Sequence, residues 1–434
     1  MLLVPGAETR GLRAFSLLSK GCRLKQTVSV AALAMVISYS PVSAFEGTNS
    51  GAGSTPPDDG GITSNTVSGD RATSGTGVGN TVTGFRAGTG MTATNSTVLG
   101  RDAGSDAAGA RNVLIGYETG DNSTGGLATA IGSNSGEDVA GAGNTTVGYS
   151  SGNRVEGAYN SAIGYNAGND VDGDRNFAAG SNAGTSVDGD FNTFVGYHSG
   201  SNTQGTANGA FGHSAADNVV GNHNYAVGSE AGDGVVGDYN VSIGNSAGSN
   251  TEGTSNGVLG FGAGDNVVGN HNYALGSDAG DGVEGTYNLS IGHGSGSNAK
   301  GDSNGAFGFG AADDVVGDNN FAIGTEAGDR VEGEQNFATG HNAGDNVVGD
   351  HNYAAGGIAG SGIEGSYNAS IGFSAGTNTV GSYNGALGHG AADNVVGSYN
   401  YAIGSDAGDG VVGCLLYTSP SPRDRTRSRM PSSA

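Results

Sequence analysis

The chain of 434 residues has no tryptophan, only seven prolines and two cysteines, and is just 35% hydrophobic. Each shortage removes a class of structure. A globular core of large side chains draws on apolar content nearer roughly 45–50%. Seven prolines without a Gly-X-Y period cannot make a collagen triple helix. Basic residues are scarce as well: 17 Lys+Arg stand against 41 Asp+Glu, for a net charge of −24. Such a chain repels nucleic acid and anionic lipid, so neither is expected as a partner. What is abundant is glycine, with 87 residues.

The two ends differ from the rest. Arg10, Arg13, Lys20, Arg23 and Lys25 form a basic leader, followed by an apolar run from Val28 to Tyr39. Pro41 and Val42-Ser43-Ala44 then supply a small-residue cleavage pattern. Residues 1–44 therefore read as an export signal cut after Ala44. The run is too short, and too interrupted by Ser, for a spanning helix of about 20 apolar residues. Residues 414–434 contain no glycine, four arginines and three prolines. Cys414–Asp424 and Ser428–Ala434 resemble two parts of a translated sequencing adapter in one frame. This tail is expected to be an artefact that packs against nothing. Between the two ends, 45–413 holds 8 basic and 39 acidic residues, a charge of −31, and no cysteine. A disulfide framework and a thiolate metal site are excluded there.

Glycine recurs at every sixteenth position from Gly84 to Gly404, 21 times, and Gly164, Gly180, Gly196, Gly228, Gly244 and Gly276 belong to this column. Asparagine stands four residues earlier in 19 of the 21 turns, as at Asn160, Asn176, Asn192, Asn224, Asn240 and Asn272. The residue just before the glycine is mostly Ile, Val, Leu or Phe; three after it comes Ala or Ser except at Thr119, four after it usually another Gly. A mostly Val column and a further Gly column complete the unit. A short fixed period without insertions marks a solenoid. Sixteen residues with two short apolar stretches and Gly-rich breaks fit one coil of two strands and two turns. Helical pairs need about 30 residues or more per repeat and would not tolerate this much glycine. The expected fold is all-β, a β-solenoid or β-roll of about 21 coils over 80–413, on the order of 100 Å long at the strand spacing. Residues 45–64 are expected to be flexible. Residues 65–79 form a degenerate capping coil, since Asn65 to Gly69 repeats the Asn-x-x-x-Gly pattern one residue out of register.

Column chemistry assigns structural roles. Ile163, Val195, Ile243 and Ile291 are expected to fill the interior. Asparagines stacked coil on coil can form an amide ladder. The recurrent glycines suit positive φ or close backbone approach. Alternation along a strand then turns the small residue beside each large one outward, an Ala stripe that includes Ala162, Ala226, Ala274, Ala322 and Ala402. A stripe of small residues suits close packing of another chain, with a monomeric solenoid as the alternative.

The unit YNSAIGYNAG at Tyr159–Gly168, and Asn400-Tyr401-Ala402-Ile403-Gly404, resemble the head repeats of trimeric autotransporter adhesins, the YadA-like left-handed β-roll. The resemblance covers about 80–413. It departs in period, 16 residues here against about 14 in the usual head repeat, with the extra residues in the D-x-V-x-G turn. It implies a left-handed homotrimer, exported to the cell surface or outer membrane of a Gram-negative bacterium, that adheres to a matrix protein or glycan. Membrane attachment is expected only through a C-terminal anchor following the repeats, missing here if the adapter tail interrupts the gene after Gly413. A non-adhesive structural fibre or sheath is the second reading. An ice- or crystal-binding solenoid ranks last, because the threonines form no continuous column.

No catalytic, cofactor or metal residues are expected. His223, His271 and His351 share a column but lie three or more coils apart, about 14 Å or more. An acidic column runs through Asp217, Asp233, Asp265, Asp281, Asp313, Asp329, Asp345, Asp393 and Asp409. Neighbouring carboxylates can bracket Ca²⁺, but a solvated turn with Asx chemistry is the preferred reading. Tyr159, Phe177, Tyr225, Tyr239, Tyr273 and Tyr401 flank the Asn column, either as binding residues or as cross-coil packing pairs.

Overall fold

The computed structural model describes residues 65–413 and the backbone of Tyr417–Thr418. The leader assigned to 1–44, the segment 45–64 and the rest of 414–434 lie outside the described residues. The described chain is all-β, without a helix. Three-residue strands recur once per coil, from Thr81–Thr83 to Tyr401–Ile403, and stack into one parallel sheet. Each pairs with the next at an offset of sixteen, as in Tyr225↔Val241 and Ala226↔Ser242. The first pair differs: Thr66–Ser68 meets Thr81–Thr83 at an offset of fifteen. At the tail, Tyr417–Thr418 continues the sheet on Tyr401 and Ala402, against the expectation that 414–434 packs against nothing. The last strand of a stack presents unpaired backbone groups, and a following β-capable segment in register can satisfy them.

The second strand of each coil is shorter than expected. Only Val171–Asp172 and Val187–Asp188 form a strand pair there. Elsewhere the line continues as single parallel bridges, such as Val220↔Val236 and Val236↔Glu252. The reason lies in the sequence, where from Ala140 onward a turn glycine follows each bridge residue and ends the extended stretch. Backbone hydrogen bonds nevertheless run around the whole coil. Gly228 N–H donates to the Phe211 carbonyl, Glu230 to His213, Gly234 to Asp217 and Tyr239 to Asn222 in the preceding coil. Tyr225, Gly232 and Val236 donate to Asn240, Ala247 and Thr251 in the next. The turns therefore share in the coil-to-coil ladder that satisfies buried backbone polar groups.

Two observations explain the glycine column. Gly228 has φ +138, and a Cβ there would stand 2.1 Å from the Gly244 carbonyl oxygen. Gly164 and Gly276 repeat this against Gly180 and Gly292. Only glycine permits both the backbone angle and the approach. The corners use left-handed backbone too, even at non-glycine residues such as Glu230, φ 58, and Tyr239, φ 60.

The interior is built from small side chains, which corrects the sequence expectation. Ala162, Ala226, Ala274, Ala322 and Ala402 are buried inside the coils, each at most 7% exposed. They face a second Ala column, including Ala231 and Ala327, and the Val column with Val235 and Val331. The large residues point out: Ile163 is 44% and Ile243 38% exposed, and Val195 and Ile291 are half-buried. None of these four fills the interior. A sixteen-residue coil encloses too narrow a space for a row of Ile on one wall against Val on the other. Where the inward position is large, as at Phe194, the facing positions are glycine: a Cβ on Gly200 would meet Phe194 Cδ1 at 2.0 Å.

Gly276→Ala should lower the melting temperature, since both its φ and the space forbid a side chain; such strain costs more than about 1 kcal/mol. Gly294, with φ 61, has open space where a Cβ would stand. Gly294→Asn should leave melting unchanged, Asn being tolerant of that region. Thermal unfolding by circular dichroism reads both.

Candidate interaction surfaces

The asparagine column forms a continuous hydrogen-bonded ladder over most of its length, with the Asn304 amide nitrogen buried without a partner. Asn160, Asn176, Asn192, Asn224, Asn240 and Asn272 are all buried. Each backbone N–H donates to the side-chain oxygen of the asparagine one coil earlier, as from Asn176 to Asn160 at 2.8 Å and from Asn240 to Asn224 at 2.9 Å. Each side-chain amide donates to a glycine carbonyl, Asn224 to Gly237 and Asn272 to Gly285 at 2.8 Å. Several amides also bridge side chain to side chain, as from Asn240 to Asn224 at 3.1 Å. The ladder starts in the offset coil, where Asn65 accepts from Asn80 N–H at 2.7 Å. Its role is internal, so it offers nothing to a partner.

The proposed partner face on the Ala column is likewise withdrawn, because those side chains are inside. The outward face of the sheet carries the residues one and three before each turn glycine. Leu99, Ile131, Val227, Leu259, Leu275, Ile323 and Leu387 lie exposed in the first column, Tyr225, Tyr273 and Tyr401 in the second. Four glycines in the second column sit under an aromatic ring of the next coil: Gly209 under Tyr225, Gly257 under Tyr273, Gly305 under Phe321 and Gly385 under Tyr401. Two further exposed columns flank this face in sequence. One, just before the asparagine, stacks His223 on Tyr239 and His271 on Tyr287 at 4.9 Å, and continues through Tyr367, Tyr383 and Tyr399 at 4.9 and 5.0 Å. The other, just after the glycine, stacks Tyr149 on Tyr165 at 5.5 Å and His293 on Phe309 at 5.1 Å. The histidine column thus makes ring pairs, and among the described residues no group of His, Cys, Asp or Glu could hold a metal.

Charge is partitioned around the coil. From Thr81 to Gly413 there are 35 acidic residues, and none occupies these four columns. They stand instead in the turns and on the opposite bridge line, as at Glu252, Glu284 and Glu332. One long face is therefore free of carboxylates, aliphatic and aromatic along the strand and mixed aromatic and neutral polar in its two flanking columns, with Arg101, Arg111 and Arg175 as its only charges from 81 to 413; the carboxylates lie on the rest of the circumference.

The aspartate column five after the glycine is half-buried. Its oxygens accept backbone N–H bonds from the preceding coil, from Ser201 to Asp217 and from Ser249 to Asp265 at 3.1 Å, and from Asp313 to Asp329 at 3.3 Å. Burial outweighs these bonds, raising Asp217 and Asp265 to about 6 and Asp121 and Asp329 to about 7. The next carboxylate along adds to the rise: Asp233 beside Asp217, Asp345 and Asp313 beside Asp329. One oxygen each of Asp281 and Asp313 is buried without a hydrogen-bond partner.

No protein-family model matches the chain, and no curated protein matches it.

Two outcomes follow. Ala226→Gln, Ala274→Gln and Ala322→Gln together should lower the melting temperature sharply at every protein concentration, because each forces a polar amide into a filled interior. Differential scanning calorimetry reads this. The raised carboxyls favour the folded state fully below about pH 4, and that contribution fades as pH rises through 6 to 7. The melting temperature should therefore be higher at pH 5 than at pH 8, and Asp217→Asn with Asp329→Asn should narrow that gap.

Proposed function

We propose that this chain is the repeat head of an exported surface adhesin of the trimeric autotransporter type, assembled through its acid-free face and displaying the acidic remainder outward. The observation that supports the reading is the continuous carboxylate-free face across the coils, with its exposed aliphatic and aromatic strand residues. Four columns about 6.6 Å apart over 21 coils about 4.8 Å apart make a strip on the order of 2,000 Å². A stable interface needs about 800 Å² per partner. A face that repeats every coil over this length is matched best by another chain with the same repeat. Turning these faces together points the carboxylates of each copy away from its neighbours, which limits their mutual repulsion. The number three comes from the resemblance of the repeat unit. So do the left hand of the coil, export to a Gram-negative surface, and adhesion to a matrix protein or glycan. In this reading the chain does no catalysis and takes no cofactor.

Sedimentation equilibrium on 45–413 tests assembly. The wild type should be a trimer at micromolar concentration. Val227→Thr, Ile243→Thr and Leu275→Thr together should give a monomer that keeps its β circular dichroism, since threonine already occupies this column at Thr83 and Thr339. A wild-type monomer, or a trimer indifferent to the three changes, would contradict the interface. Binding to matrix proteins and glycans, against a scrambled repeat, separates an adhesin from a purely structural fibre.

A further inference from the structure

We infer that the first coils carry a docking site for an acidic polysaccharide, formed by Arg71, Arg86 and Arg101 around Phe85. The three guanidinium carbons lie 5.9, 5.2 and 5.6 Å from the Phe85 ring centroid, and Arg101 also lies 5.6 Å from that of Tyr117. All three arginines are exposed. One carboxylate, Asp102, serves two of them: it accepts from Arg86 Nε at 2.5 Å and from Arg101 Nε at 3.2 Å. Both contacts use Nε and leave the terminal Nη groups unengaged among the described residues. The Arg71 guanidinium makes only its ring contact there. The three cations are thus gathered around Asp102, with Glu118 of the next coil close enough to act on Arg86, and their forked Nη donors remain for an added anion. That is the chemistry that takes a carboxylate or sulfate oxygen pair. Phe85 is half-buried under the guanidinium groups, and the exposed Tyr117 beside it offers apolar surface to a sugar ring.

Charge along the chain favours the same place. Residues 65–120 hold four basic and four acidic residues, whereas 121–413 hold four basic and 32 acidic. A polyanion is repelled by most of the stack and meets a locally neutral, arginine-bearing surface only at these coils. Screening over about 8 Å at physiological ionic strength lets the patch act apart from the acidic coils. Phe85, Arg101 and Tyr117 stand in the column just after the turn glycine, at one edge of the acid-free face, with Arg71 and Arg86 beside that edge.

The test is retention of the full chain on three immobilised polymers: a sulfated polysaccharide, a polyuronate bearing only carboxylates, and a neutral glucan. Retention on one or both acidic polymers, lost with added salt and absent on the glucan, is expected; which acidic polymer retains the chain identifies the anion. Arg71→Gln, Arg86→Gln and Arg101→Gln together should weaken binding at least tenfold. Arg154→Gln, Arg175→Gln and Arg330→Gln change the net charge equally and should leave it unchanged. Circular dichroism confirms that both variants keep the fold. No retention on either acidic polymer, equal retention on the glucan, or equal loss in both triple variants would overturn the assignment.

Discussion

The buried asparagine four residues before 19 of the 21 turn glycines sets the direction of the side chains in the strand that follows. Its side-chain oxygen accepts the backbone N–H of the next asparagine, and its amide donates to a glycine carbonyl. An amide so engaged must point inward. Strand alternation then puts the residue two further on inside as well, and those one and three further on outside. Ala226 is therefore interior while Tyr225 and Val227 are not. The glycine that ends the strand brings the backbones of adjacent coils close, as the Gly228–Gly244 approach shows. Stability comes from these repeated short contacts between neighbouring coils rather than from one large core.

Much of the architecture was legible in the sequence. The sixteen-residue period, the parallel stacking, the asparagine ladder and the reason for the glycines followed from spacing and residue type. The capping pattern at Asn65 to Gly69 was legible down to its one-residue slip, which appears as the fifteen-residue offset of Thr66 on Thr81. The facing of the strand is the inverse of what side-chain size predicts. Ile163 is larger and more apolar than Ala162, and in an ordinary core it would be the inward residue. The overlooked signal was parity. Asn160 and Ala162 are two apart, so an asparagine ladder that is internal requires an internal alanine. A narrow coil rewards the small residue, and the large ones go to the surface. The pairing of Tyr417–Thr418 on Tyr401 and Ala402 was not legible from composition, because the open edge of the last coil accepts an extended segment in register whatever its origin.

The inversion changes where interactions occur. The small-residue stripe disappears as a contact surface, and a wider aliphatic and aromatic face takes its place. Its freedom from acidic residues was visible in the sequence once the columns were aligned, but it gains meaning only when the outward columns are known. The acidic residues fall into two kinds. Those on the bridge line and in most turns are solvated charge. Those in the half-buried column sit against backbone N–H groups and against one another, and burial raises several of them toward neutrality. The stack thus combines a neutral flank, a charged flank and a protonatable seam, all generated by one repeated unit.

The most direct measurement of the ladder's governing role is hydrogen exchange at Asn240 in the wild type and in Asn224→Ala. The wild-type Asn240 backbone N–H should be strongly protected, because its acceptor is the buried Asn224 side-chain oxygen. Removing that oxygen should speed exchange at Asn240 and its coil neighbours while distant coils, such as that of Asn384, keep their protection. Fast exchange at Asn240 in the wild type, or no change on substitution, would contradict the account.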